Sequence, residues 1–259
     1  MAWSPSQYAA FEDERTRPAR DLVAAIPAAA GWMCDLMCDL GCGPGNSTEA
    51  LAARFPDARV GGVDSSAEMV AAARVRLPGL PFAVADIQAW DDPGPFGVLL
   101  ANAVLQWLPD HAALLPRLAA RLAPGGSLAV QMPDNLDEPA HRLMRQAAAD
   151  GPWAAKLAGA AGIRTGVGTP DWYYGVLRPH CSRLDVWRTT YHHVLPGGAD
   201  AVVEWFKGSG LRPFLAPLDE AERAEYLRRY RAGVTDAYPA LPDGAVLLPF
   251  PRLFMVATR

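Results

Sequence analysis

Lysine is almost missing from this chain: of its 24 basic residues, only Lys156 and Lys207 are lysine, and the rest are arginine. A basic surplus is missing too. The formal net charge is −4 and the sequence pI about 5.7, so the composition lacks the phosphate-neutralising surface of a nucleic-acid binder. Four cysteines in 259 residues are too few for a disulfide framework. Three of them, Cys34, Cys38 and Cys42, are evenly spaced, but that spacing is neither that of zinc sites nor the C-x3-C-x2-C of radical iron–sulfur enzymes. A tandem MCDL tetrapeptide, at 33–36 and 37–40, explains the regularity, and no metal is expected. Apolar runs of membrane-spanning length are also lacking; the longest candidate, 22–33, is broken by Pro27 and Gly31. The first 21 residues are polar and partly acidic, without the basic and then apolar regions of a secretory leader. These absences lead us to expect a soluble, cytoplasmic protein that acts on a small molecule, with no membrane or nucleic-acid partner.

What is present is a globular composition, 51% hydrophobic and 20% charged, enough for a sizeable core. Over residues 33–135, short apolar runs alternate with amphipathic ones. Strands are expected at 36–40, 58–63, 81–85, 96–101 and 126–132, and helices at 46–54, 66–76 and 111–122. Strand–helix alternation with near-continuous apolar strands implies a parallel sheet covered on both faces. Ser65 or Ser66 and Asp110 are expected helix caps, and Pro124-Gly125-Gly126 is read as ending the helix at 111–122. Asp35 would be costly inside a strand without a partner, so the first strand is started after it. An N-terminal helix at 6–25 precedes this core. Beyond it, residues 137–150 are read as helix, 151–180 as loop with short turns, 184–194 as a strand, 199–208 and 218–237 as helical, and 245–258 as a closing strand pair or hairpin. The expected whole is a single α/β domain over 1–259, Rossmann-like and doubly wound, with a mostly parallel sheet and an antiparallel C-terminal strand. Its cofactor core is placed at 33–135, and residues 136–259 supply a helical cap over an acceptor site and the last strands.

The stretch DLGCGPGNST, 39–48, places Gly41, Gly43 and Gly45 at alternate positions after the first strand. Glycine is concentrated where the backbone bends sharply or a ligand comes close, and parallel sheets bind ligands at the carboxyl ends of their strands. A dinucleotide fingerprint needs G-x-G-x-x-G; here the sixth position is Asn46. Asp39, just before the first glycine, suits a cationic or amino-acid ligand better than a pyrophosphate. Asp64, followed by Ser65, ends the second strand, where a carboxylate can accept both ribose hydroxyls. Asp86 ends the third, placed to accept from an adenine amino group while the Ile87 N–H meets a ring nitrogen. Asn102 ends the fourth. Each residue alone is an ordinary turn residue; together they lie in register on successive strands.

This ordered set resembles the class I S-adenosylmethionine-dependent methyltransferases. Further blocks narrow the resemblance: WSPSQYAAFEDERTRPARDL near the start, NAVLQWLPDH at 102–111, LAVQMPDNLDEP at 128–139, VEWFKGSGLRPFL at 203–215 and FPRLF at 250–254 are similar to the trans-aconitate 2-methyltransferase family, from residue 3 to 257. The chain departs from that family in the extra MCDL copy and in 151–180. The resemblance implies S-adenosyl-L-methionine as cofactor, held by Asp39, Gly41, Cys42, Gly43, Gly45, Asn46, Asp64, Ser65, Asp86, Ile87 and Asn102, with S-adenosyl-L-homocysteine as product. It also implies a monomethyl ester on one carboxylate of a small tricarboxylic acid.

A carboxylate with an ordinary pKa of about 4 is already ionised at neutral pH, so the chemistry needs orientation of the oxygen about 3 Å from the methyl group and exclusion of water, without a general base. Gln106 and Trp107, after the fourth strand, are expected to orient it as neutral donors, although Trp107 is equally a helix-packing aromatic. Arg15, Arg17, Arg212 and Arg252 are candidates to compensate the acid's remaining charge. Trp3 and Tyr8 are candidates for a lid, or helix anchors. On the strand at 184–194 only one of His192 and His193 can face a pocket, and His193 is taken as the contact. His111, His141 and His180 are read as structural. The alternatives are a methyltransferase for a phenol, an amine or another acid, a nicotinamide-dependent oxidoreductase, and a non-catalytic cofactor-binding protein.

Overall fold

The computed structural model describes residues 12–163 and 166–259. Contacts divide the chain into two compact units: residues up to Pro133 with Val167–Thr189 and Leu253–Arg259, and residues Asp134–Gly166 with Thr190–Arg252.

In the first unit, helix α1 (Glu12–Ala25) and a short turn of helix, α2 (Ala30–Met33), lead into β1 (Leu36–Leu40). The chain then alternates through α3 (Asn46–Arg54), β2 (Arg59–Asp64), α4 (Ala67–Arg76), β3 (Phe82–Val84), β4 (Phe96–Asn102), α5 (His111–Ala119) and β5 (Leu122–Pro133). The expected alternation is present, with β1 and α3 at the expected bounds. β1 pairs in parallel with β2 and β4, β2 with β3, and β4 with β5. Among the described residues, β6 (Arg183–Leu195) and β7 (Val246–Thr258) complete one sheet in the order β3-β2-β1-β4-β5-β7-β6. β7 is antiparallel to β5: Gly125 N–H donates to Arg259 O and Arg259 N–H to Gly126 O. The middle strand β4 is apolar up to Asn102 because both faces are covered; Val98, Leu99, Leu100 and Ala101 are all fully buried. One face packs Leu99, Leu128 and Val130 against Leu114, Leu115 and Leu118 of α5, each fully buried leucine contributing on the order of 2 kcal/mol. Asp35 lies outside β1, exposed, and is held by Arg59 through two hydrogen bonds of 2.9 and 3.0 Å, so no buried carboxylate had to be accommodated there.

Helix starts follow the local sequence. Ser66 Oγ accepts from Met69 N–H at the head of α4, and Asp110 Oδ1 from Ala113 N–H at the head of α5. Three expectations are corrected. Pro124-Gly125-Gly126 does not end α5, which stops at Ala119; those residues lie inside β5, at a register irregularity against β4. Residues 151–180 contain a helix, α8 (Pro170–Leu177), capped by Thr169 and started by proline. Residues 246–258 form one strand rather than a hairpin. Asp134 N–H donates to Pro251 O just past the end of β5, so the proline without a donor falls at the last rung, where a missing N–H costs least.

The second unit packs α6 (Pro139–Ala149) against α11 (Glu220–Ala237), with α7 (Ala154–Leu157), α9 (Gly198–Lys207) and α10 (Arg212–Leu215) around them. Two of its buried aromatics satisfy their polar ends on neighbouring backbone: Tyr226 O–H donates to Met144 O, and Trp153 Nε1–H to Ala147 O. A capping box between Asp219 and Glu222 starts α11. Among the described residues, no helix is long and apolar enough to cross a membrane.

Candidate active site

The glycine loop owes its shape to backbone conformations that side chains avoid. Gly41, Gly43 and Gly45 have φ of 72°, 53° and 95°, all in the left-handed region. At Gly41 a Cβ would lie 2.3 Å from Val104 Cγ2, whereas at Gly43 it would meet nothing within 4 Å. Gly41 thus admits its neighbour, and Gly43 leaves its outer side open. Two carboxylates hold the loop. Asp64, at the end of β2, accepts from Gly43 N–H through Oδ2 at 2.9 Å and from Ser66 N–H through Oδ1 at 2.8 Å. Asp39, fully buried at the end of β1, accepts the Ser47 and Thr48 hydroxyls on Oδ2, each at 2.7 Å. Burial pushes Asp39 up to about 6, opposed by those two hydroxyls and assisted by the nearby charge of Asp64.

A cavity of about 290 Å³ opens at the carboxyl ends of the strands, lined by the loop and by Asp64, Ser65, Asp86, Ile87, Asn102 and Trp107 among others. Of the expected cofactor residues, Gly41, Cys42, Gly43, Asn46, Asp64, Ser65, Asp86, Ile87 and Asn102 line it. Asp39 and Gly45 do not: Asp39 points behind the loop to the first turn of α3, and Gly45 caps that helix. Among the described lining residues there is no arginine or lysine, and the acidic ones are Asp64 and Asp86. Such a site attracts a cation and repels a pyrophosphate. Asn102 lines the cavity, and its Oδ1 is buried without a hydrogen-bond partner. Cys42 is a buried thiol raised by burial, so it contributes shape rather than nucleophilicity. The residues therefore fit S-adenosylmethionine: carboxylates for the ribose hydroxyls and purine, acceptors for the cationic end, and glycine backbone for close approach.

The turn after β4 carries Gln106 and Trp107. Ala103 has φ of 54°, a strained value for a residue with a Cβ, and is held from two sides. Its N–H donates to Gln131 O, and its carbonyl accepts from Gln106 Nε2 at 2.7 Å. Gln106, expected to orient the acceptor, is buried with its amide nitrogen on its own turn, and it is not among the residues that line the cavity. Trp107 does line it. His111, read from sequence as structural, pins the same turn: Nε2 reaches Leu105 O at 2.8 Å and Nδ1 the Tyr173 hydroxyl at 2.7 Å. With a carbonyl on Nε2, that nitrogen carries the proton and Nδ1 accepts from tyrosine.

The expected acid-binding residues belong to both units. Trp3, Tyr8 and the Arg15 side chain lie outside the described residues. Arg17 is exposed on α1. In the second unit Arg212 is half-buried, while Arg252 and His193 are buried. The Arg252 guanidinium lies 4.8 Å from the Phe250 ring centre, and His193 stacks 4.5 Å from Trp205. Of the two adjacent histidines, His193 faces inward and His192 outward. Sequence reasoning missed Thr16 and Ala19 of α1, Met69 and Val104, which line the cavity. It also missed Arg117, whose guanidinium grips the loop after β3. No local signal marks a residue that acts on a distant loop.

Comparison with known proteins agrees with this geometry. Residues 37–126 match the family model described as a methyltransferase domain. The YcgJ protein of Bacillus subtilis has a similar fold, with a TM-score of 0.60 at 11% identity over 94% of this chain and 98% of that one. The fold is the Rossmann-like one of class I S-adenosylmethionine-dependent methyltransferases. The chain is 56% identical over 257 residues to the trans-aconitate 2-methyltransferase of Methylobacterium nodulans, covering 99% of this chain and 98% of that protein. It is 55% identical to the one of Rhodopseudomonas palustris strain HaA2, covering 99% of each. The chain belongs to the trans-aconitate 2-methyltransferase family.

Proposed function

We propose that the chain methylates one carboxylate of trans-aconitate or a closely related small tricarboxylic acid, forming a monomethyl ester, with S-adenosyl-L-methionine as donor. The observation that carries this reading is similarity at 56% identity along 99% of the chain, well beyond the cofactor core that methyltransferases of many acceptors share. When bound, S-adenosylmethionine supplies a methyl group made electrophilic by its sulfonium charge. The protein's part is orientation and exclusion of water. Asp64 and Asp86 each keep acceptor capacity beyond the backbone N–H groups they hold. Trp107 closes the cavity with an aromatic face and one N–H donor. A carboxylate acceptor is already ionised at neutral pH and needs no proton removed. Arg17, Arg212 and Arg252, with Arg15, are proposed to pair with the acid's other carboxylates, and His193, Trp3 and Tyr8 to shape the acceptor's surroundings.

The test is transfer from methyl-labelled cofactor to a panel of tri- and dicarboxylic acids, a phenol and a primary amine. The proposal expects base-labile label on a tricarboxylic acid. Label on the phenol or amine, with none on the acids, would reject it.

A further inference from the structure

The loop between β3 and β4 has no helix to stiffen it. It nevertheless carries Asp86 and Ile87, two residues that line the cavity. Around Asp86 its local bonds are few: Asp86 Oδ1 accepts from Gln88 N–H at 2.9 Å and Asp86 O from Ala89 N–H at 3.0 Å. Two more come from α5. Arg117 Nη2 donates to Ile87 O and Nη1 to Trp90 O, both at 2.7 Å. Among the described residues Arg117 makes no ion pair; its planar fork is spent on two peptide carbonyls. One of these matters most. The Ile87 carbonyl and the Gln88 N–H belong to the same rigid, planar trans peptide and point in opposite directions. Arg117 draws the carbonyl toward α5 and thereby turns the N–H back onto the Asp86 carboxylate. A single peptide plane is held at one end by a guanidinium and at the other by the carboxylate that faces the cavity.

We propose that Arg117 is a positioning residue for purine recognition: without touching the ligand, it orients the Asp86 carboxylate through the 87–88 peptide and so sets the preference for an adenine edge. The inference rests on the proposed cofactor and on Asp86 accepting from its purine amino group. A merely structural arginine would support all ligands of the cavity equally. A positioning one acts only where Asp86 does.

The test is calorimetric binding of S-adenosylhomocysteine and of its inosine analogue, in which an oxo group replaces the purine amino group, to the full chain. The native protein is expected to prefer the adenosyl ligand roughly tenfold or more, the worth of a hydrogen bond to a charged acceptor. Asp86→Ala should remove that preference, and Arg117→Met should reduce it to roughly threefold or less. Arg117→Lys, which keeps the charge but reaches one carbonyl, should fall between, and decides the matter if Arg117→Met does not fold. Weaker binding of both ligands with the native preference intact in the Arg117 variants would overturn the inference while leaving the proposed function standing. No preference in the native chain, or one that survives Asp86→Ala, would overturn the Asp86 reading and the inference with it. Failure of the native chain to bind either ligand would reject the proposed cofactor.

Discussion

Replacing Asp64 with alanine should loosen the cofactor far more than it loosens the fold. Each carboxylate oxygen carries one backbone N–H, from Gly43 at 2.9 Å and Ser66 at 2.8 Å, and each retains a lone pair for a ribose hydroxyl. In the free protein the substitution strands two half-exposed N–H groups that water can reach, at a cost of about 1 kcal/mol each. For a chain of this size that lowers the transition temperature by roughly 4–8 °C. In the complex it removes both ribose bonds as well. Because the site is partly open, these together contribute about 1–3 kcal/mol, a weakening of roughly 5- to 150-fold. Calorimetric titration with S-adenosylhomocysteine measures this, alongside thermal unfolding of the free protein. Asp64→Asn, which keeps one acceptor oxygen, should lie between. A lowered transition temperature with unchanged affinity would refute the reasoning, because Asp64 would then be holding the loop without touching the ligand.

Two further predictions follow from the same loop. Gly41→Ala should cost about 2 kcal/mol or more, combining left-handed strain with displacement of Val104. Gly43→Ala should cost about 1 kcal/mol yet lower cofactor affinity, because its methyl group enters open space beside the cavity; urea unfolding and titration of the two variants separate these effects. Asp39→Asn tests burial of charge. Burial holds the folded pKa at about 6, above the carboxyl's ordinary value of 3.8. The native state therefore holds the proton more tightly, and the group's contribution to stability is present below 3.8 and lost as pH rises through 6. Between pH 5 and 7.5 the native chain should lose about 1 kcal/mol relative to Asp39→Asn in urea unfolding; a constant difference would show that Asp39 is not desolvated.

The lining of the cavity was legible because its residues follow strand ends, where alternation and turn chemistry predict position from type alone. Gly41, Gly43, Asp64, Asp86 and Asn102 needed only the strand bounds. Asp39 was legible as important but not as to direction: whether a strand-end carboxylate faces the ligand or the next helix depends on the twist of the loop, and here the Ser47 and Thr48 hydroxyls receive it. Gln106 and Trp107 are adjacent, yet one turns inward to hold Ala103 and the other lines the cavity, a choice made by a three-residue turn that pattern cannot resolve. Helix α8 did announce itself, through Thr169 and Pro170, but Gly166, Gly168 and Gly175 and the run of aromatics masked it. Residues 245–258 were read as a strand pair or hairpin rather than the single strand β7, because sequence does not show where the neighbouring strand ends. Arg117 left no trace, since its partners, Ile87 and Trp90, are 30 and 27 residues away.

The most direct test of an oriented, unactivated carboxylate is the single-turnover rate of methyl transfer to trans-aconitate as a function of pH at saturating cofactor. With no base to deprotonate, the rate should be nearly flat from about pH 6 to 9, above the acceptor's own pKa. A rate that climbs through the neutral range with a slope of one proton would contradict it and place a base at the acceptor.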